Sequence, residues 1–215
     1  MKINSLLTEI AIFLLILLFL VLPPIFGGGN PVTFQWTFPL SQLLLASVAL
    51  CIFIFYHKKR NSKVNIFGFR IFFTLGLLFV SYLLLNFISL QVHYESPSSI
   101  DITQPSSVLT WIFCVLNFIF AAFYEEVVYR FYLTDSLQDI LIKINPIFES
   151  KVTLVICEII TAVLFALAHS YMGIFAIINA LIAHFVLRYT YKKSNSIIPG
   201  FVAHFIYNMI SVILL

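Results

Sequence analysis

VLTWIFCVLNFIFAAFYEEVVYRFYL, residues 108–133, has the length and apolar character of a membrane helix, with three charges inside it: Glu125, Glu126 and Arg130. A charged side chain in hydrocarbon costs roughly 2.5–3.5 kcal/mol on insertion scales, and more on others. Two adjacent carboxylates are worse, because each disfavours ionisation of its neighbour. Helical geometry divides their tasks. Glu126 and Arg130 are four residues apart, share a face and can pair. Glu125 is turned about 100° from Glu126 and has no such cation on its own helix. One carboxylate is neutralised locally, and the other is left for chemistry.

Working outward, the rest of the chain is equally apolar. Its 215 residues are 61% hydrophobic and 10% charged, with mean hydropathy +1.05. A soluble domain is about 45–50% apolar and about 25% charged, so lipid is the solvent for most of this chain. The net charge of +3 is spread without a basic patch interleaved with aromatics, so nucleic acid is not an expected partner. Cys51, Cys114 and Cys157 lie in apolar runs without paired spacing and read as small buried hydrophobes. The 24 phenylalanines read as lipid-facing bulk.

Seven apolar runs follow one another. The first spans about Ile10 to Phe26, between Lys2 and the segment Gly27-Gly28-Gly29-Asn30-Pro31. A cleaved signal peptide would share the basic start, but Pro23-Pro24 and the glycines contain no A-x-A site, so a retained span is expected. The second, about Phe38 to Tyr56, stops at a basic cluster that includes Lys58–Lys63, and the third runs from about Ile66 to Leu90. A polar loop, 91–107, precedes the fourth run, which passes into an amphipathic stretch broken at Asn145-Pro146. The fifth covers about Val152 to Tyr171, the sixth about Ile174 to Tyr191 and the seventh about Ile197 to Leu215, with a tight turn at Met172-Gly173. With the N-terminus inside, all 12 Lys and Arg residues fall on cytoplasmic loops or cytoplasmic ends of spans. The expected fold is therefore an all-α polytopic membrane bundle of about seven helices. It forms a single membrane domain over residues 1–215, with 108–215 carrying the motifs. Long apolar blocks, not alternating ten-residue segments, exclude a barrel.

Three spans carry polar patterns. His169 lies four residues after Phe165, and His204 and Asn208 are four apart on one helix face. Glu125 and His169 lie 21 residues before and 23 after Pro146, so antiparallel arms would bring them to similar heights. Singly, each residue reads as ordinary interhelical hydrogen bonding, and the Glu–Arg cluster as a buried ion pair. A pair explains Glu126 and Arg130 but not Glu125, and together the residues fit hydrolysis. Glu125 and His169 would take a proton from water, in a lipid-shielded setting that favours a carboxylate base. His204 and Asn208 would donate to the oxyanion formed at an attacked carbonyl. The competing version makes Glu125, His169 and His204 zinc ligands with water in the fourth position; no cofactor is required by the first version. Glu158 is on roughly the stripe of His169, and reads as a structural hydrogen bond more than a cavity residue. Glu9 and Arg70 read as interface residues near the cytoplasmic ends of spans. His184 and Arg188 read as structural, with Arg188 snorkelling to the cytoplasm.

Glu125-Glu126-Val-Val-Tyr-Arg130, Phe165-Ala-Leu-Ala-His169 and His204-Phe-Ile-Tyr-Asn208, in this order on successive apolar helices, resemble the CPBP (Abi) family of intramembrane proteases. That family includes CAAX prenyl endopeptidases and bacteriocin-immunity homologues. The resemblance covers about 120–210 and implies a membrane peptidase whose first glutamate activates water. It implies that the second glutamate pairs with the arginine, and that the second histidine and the asparagine hold the oxyanion. Phe165, Glu126 and Arg130 would support the site. The implied partners are membrane lipid and a membrane-associated peptide or prenylated protein, in a bacterial cell membrane. Whether a metal takes part is not settled by the motifs. A non-catalytic immunity or toxin-binding protein is the alternative, and a transporter using the same polar residues the third.

The topology is testable. Cysteines placed at Ser98 and Ser194, in a background without native cysteines, should be labelled by impermeant reagent from outside only at position 98. Labelling of position 194 from outside intact cells would exclude seven spans with the N-terminus inside.

Overall fold

The computed structural model describes residues 2–26, 32–33, 35–58, 60, 68–93 and 100–214. The Gly27–Pro31 segment, most of the basic run after Lys58 and residues 94–99, including Ser98, lie outside the described residues. The described chain is built from α1 (Lys2–Ile16), α2 (Pro23–Phe26), α3 (Leu40–His57), α4 (Gly68–Gln91), α5 (Val108–Glu125), α6 (Thr134–Ile144), α7 (Lys151–Leu167), α8 (Ile174–Ser194) and α9 (Ile198–Ile213). A two-residue parallel pairing, Val32–Thr33 with Ile100–Asp101, joins two of the loops. The all-helical membrane bundle expected from the apolar runs is what forms.

Local chemistry sets the helix ends. Ser107 and Thr110 form a reciprocal capping box at the start of α5, and Ser150 caps α7 through Thr153 N–H. Asn145 accepts from Ile147 N–H and Pro146 opens a 3₁₀ turn to Phe148, the expected break. Gly173, at φ 95°, makes the turn into α8, a conformation that disfavours any side chain with a Cβ. Asn195 ends α8 in the left-handed region at φ 49°.

Among the described residues, five helical stretches are long and apolar enough to cross a membrane: Leu6–Phe26, Leu40–His57, Gly68–Gln91, Val108–Ile144 and Ile174–Ser194. α7 and α9 occupy the other two expected apolar runs with 17 and 16 residues. At 1.5 Å per residue they reach about 24–26 Å, short of the ~30 Å hydrocarbon thickness. Phe55, Phe69, Phe72 and Val108 remain mostly exposed on the outer surface, as lipid-facing residues must. α1 is packed against the bundle: Phe13, Ile16 and Val21 join the main core, and the Tyr124 hydroxyl donates to the Leu20 carbonyl at 2.5 Å.

The fourth run differs from an ordinary α-helix. From Glu126 to Leu133 the backbone is a π-helix, a wider i→i+5 turn, and all eight of its residues are buried. This segment packs against α3, α6, α7 and α8 and is the centre of the bundle. Phe131 lies against Phe53 and Tyr191, and Tyr132 against Tyr56.

Arg188 does not snorkel to the cytoplasm as its sequence position suggests. It is buried between three helices. Its Nε donates to both oxygens of Glu158 on α7 at 3.0 Å, its Nη2 to Asp135 on α6, and its Nη1 to the Arg130 carbonyl within the π segment. Asp135 also receives Arg60 at 3.1 Å and Lys192 at 3.2 Å. Snorkelling fails because the carboxylates that neutralise Arg188 lie inside the bundle. Glu158 is thereby the structural partner that its stripe suggests. Glu9 pairs with Lys143, joining α1 to α6. Ser194 is buried and bonded to Thr190 and Ser196 carbonyls, so the exposed Lys193 is the better labelling position at this end.

Arg188→Ala should be among the most destabilising single changes in this bundle. It leaves Glu158 without a partner and the Arg130 carbonyl without its donor, a loss of about 3–5 kcal/mol in comparable buried pairs. Lys192→Ala removes a half-exposed contact to the same Asp135 and should cost under about 1 kcal/mol. Melting curves in detergent compare the two; equal losses would show that burial of Arg188 contributes nothing.

Candidate active site

The site is assembled where the α5–π junction meets α9. Glu126 lies at the first position of the π segment and is 1% exposed. Its Oε1 accepts from His204 Nδ1 at 3.0 Å and lies 3.6 Å from Arg130 Nε. The i,i+4 pairing with Arg130 is therefore present, but the shorter contact is with a histidine 78 residues away. Glu125, the last residue of α5, places Oε2 3.7 Å from His204 Nε2. That oxygen is buried and has no hydrogen-bond partner among the described residues. His204 thus lies between the two carboxylates, one on each ring nitrogen. The expectation that Glu125 has no cationic partner holds for its own helix only.

Arg130 is fully buried. Its guanidinium nitrogens have no hydrogen-bond partner among the described residues, and its Cζ lies 3.8 Å from the centroid of the Phe165 ring. A desolvated cation over an aromatic face gains about 2 kcal/mol. Phe165 therefore offsets part of the cost of burying Arg130, which gives the Phe-x-x-x-His motif a physical purpose. The same ring packs against Tyr129 at 5.0 Å, His169 at 4.7 Å and His184 at 5.8 Å, measured between ring centroids.

His169 follows the C-terminal end of α7. Its Nδ1 bonds the Phe165 carbonyl at 2.9 Å. A carbonyl only accepts, so Nδ1 carries the proton and Nε2 of the neutral ring presents a lone pair. That is the form a proton acceptor requires. Nδ1 of His204 donates to a carboxylate by the same reasoning, so its Nε2 donates to anything else only when the ring is doubly protonated.

Asn208 lies one turn beyond His204 on α9 and is half-buried. No hydrogen bond joins it to Glu125, Glu126, His169 or His204. His184 is fully buried on α8, and neither of its ring nitrogens has a partner among the described residues. Among the described residues, no three His, Cys, Asp or Glu side chains gather closely enough to hold a metal ion. The Nδ1 bond of His204 to Glu126 leaves its Nε2 facing Glu125, and the described residues do not gather Glu125, His169 and His204 into a metal-binding group.

Residues 107–210 match the family model described as type II CAAX prenyl endopeptidase Rce1-like. The likeness to CAAX proteases drawn from the three motifs is thus shown, over the segment that carries them. The match spans 104 of the 215 residues, and over that segment the chain is similar to type II CAAX prenyl endopeptidases. No curated protein and no solved structure matches the chain significantly.

The two glutamates should respond oppositely to truncation. Glu126→Ala strands Arg130 and His204, and Arg130→Ala strands Glu126; each should lower stability by about 3–5 kcal/mol. Glu125→Ala removes a carboxylate whose buried oxygen is unpaired, and should leave melting unchanged or raise it. Detergent melting curves that fall equally for all three variants would refute this division.

Proposed function

We propose that this chain is an intramembrane endopeptidase that hydrolyses a peptide bond of a membrane-associated or prenylated substrate. The observation that carries the reading is Glu125: a carboxylate with an unpaired, buried oxygen, 3.7 Å from a histidine nitrogen, inside a membrane bundle. Glu126 Oε2 is also buried without a hydrogen-bond partner, but Glu126 is tied to His204 through Oε1, whereas among the described residues no hydrogen bond holds the Glu125 carboxylate. The Rce1-like match over the same segment supports a prenylated or otherwise lipid-anchored substrate.

In this mechanism water binds between Glu125 and His169. Glu125, aided by the Nε2 lone pair of His169, takes one proton as the water oxygen forms a bond to the scissile carbonyl carbon. The carbonyl oxygen becomes an oxyanion, which receives hydrogen bonds from the Asn208 amide and from doubly protonated His204 through Nε2. Collapse breaks the C–N bond, and the proton held by Glu125 passes to the leaving amine. Glu126 and Arg130 do not touch substrate; Glu126 orients His204, and Phe165 shields Arg130. Metal takes no part in these steps. Residues 1–215 form one membrane domain in which 108–215 hold the chemistry, and the N-terminus and the basic ends of the spans face the cytoplasm. No observation favours the immunity or toxin-binding alternative.

A purified preparation with a fluorogenic prenylated peptide panel tests the proposal. Glu125→Gln is nearly isosteric and should abolish turnover. Asn208→Ala should reduce kcat by about 10²–10³, the loss expected for one oxyanion donor. Asn208→Asp should be at least as damaging, because it adds charge beside a developing anion. Chelator should have no effect. Full turnover by Glu125→Gln would sink the mechanism. Stoichiometric zinc in the wild type, lost in His204→Ala, would reassign His204 as a ligand.

A further inference from the structure

Gly200 occupies the third position of α9, after Ile198 and Pro199. Its backbone does not require glycine, since Gly173 alone has positive φ among the described glycines. Inside a helix glycine is a poor former, weaker than alanine. The reason for it must be space. A Cβ built at Gly200 would lie 2.8 Å from Glu126 Oε2 and 3.6 Å from Glu126 Cδ. It would also meet Leu187 Cδ2 at 3.8 Å, and Leu187 is fully buried on α8. The other described glycines within helices, Gly68 and Gly76, have nothing within 4 Å of such an atom.

Gly200 and His204 are four residues apart and share a face of α9. The Glu126 carboxylate spans the two, Oε2 against Gly200 and Oε1 on His204 Nδ1 at 3.0 Å. We propose that Gly200 is a positioning residue: its missing methyl is the space that lets the Glu126 carboxylate lie flat on α9 and hold His204 by Nδ1. This rests on the proposed function only for its effect on turnover; the placement of His204 stands apart from it. A methyl at 200 would be in ordinary contact with Leu187 but would overlap Glu126 Oε2, so the carboxylate is the group that must move. Retreat of that carboxylate lengthens the bond to His204 and frees the ring to turn. Misplacing a site group by about 1 Å can cost about 100-fold in rate.

The test is a two-by-two set: wild type, Gly200→Ala, Glu126→Asp, and both together. Glu126→Asp keeps the charge and withdraws the carboxylate by one methylene. Each protein, labelled with ¹⁵N-histidine in detergent, gives its histidine ring signals, with His204 assigned by its loss in His204→Gln. Gly200→Ala should shift the His204 Nδ1 signal away from its hydrogen-bonded position and lower Tm. In the Glu126→Asp background the same substitution should leave the His204 signals in place. There it should raise Tm, since alanine is the better helix former once the clash is gone. Turnover of a prenylated peptide by Gly200→Ala should fall by about 10- to 100-fold at unchanged KM.

An unshifted His204 signal in Gly200→Ala overturns the proposal, whatever the activity. Equal loss of Tm in both backgrounds does so as well, because the methyl would then clash with something other than the carboxylate. If Gly200→Ala does not fold, folding of the double variant supports the proposal. Failure of both, with Glu126→Asp intact, overturns it. Absence of turnover in the wild type would defeat the peptidase reading and leave the histidine result standing.

Discussion

The structure depends on one buried carboxylate. Glu126 is almost completely removed from solvent and is surrounded by apolar helices. An ionised carboxylate in that setting is tolerable only when opposite charge or donors compensate it. Arg130 faces its Oε1 from one turn along the same helical run, and His204 from another helix. Arg130 creates a second desolvation cost, which the Phe165 ring offsets from α7. His204 comes from α9, brought against the α5–π junction by the packing of that helix. The requirement to neutralise one side chain thus ties three separate helices together. It also places a second carboxylate, Glu125, at the same junction, with a buried oxygen that has no hydrogen-bond partner among the described residues.

A second set of charges serves the fold rather than the site. Arg188 takes up Glu158, Asp135 and the Arg130 carbonyl, and joins α6, α7 and α8 at one point. Its bond to the Arg130 carbonyl reaches into the π segment, where the ladder of backbone bonds has changed register. The two networks therefore meet at Arg130, its side chain facing the site and its backbone facing the support.

Much of this was readable from the chain. Apolar blocks gave the bundle, because lipid demands long helices whose backbone groups are satisfied internally. Local spacing gave what lies within one helix: Glu126 with Arg130, His169 with Phe165, and the break at Asn145-Pro146. The Glu126–His204 bond was not readable, since no periodicity links residues on different helices. The place of Arg188 near a helix end suggests snorkelling, whereas only tertiary packing shows the carboxylates inside. The π segment had no signal either. Val127, Val128 and Tyr129 suit an α-helix as well as a wider one, and the choice was made by packing. The spacing of Asn208 puts it on the face of His204, and the fold adds its half-buried position one turn away.

The π segment has a consequence for how this helix tolerates change in length. A wide turn of this kind is a helix holding one residue more than its i→i+4 ladder needs. Deleting a residue between Val127 and Tyr129 would let the backbone return to ordinary α geometry, with better internal bonding and little loss of apolar surface. It would also bring Glu126 and Arg130 from four residues apart to three, still on one face but at a different height along the helix. The shorter helix would be the more regular one and would set its carboxylates differently against His204. In this chain the best helix and the assembled site are different objects, separated by a single residue of register.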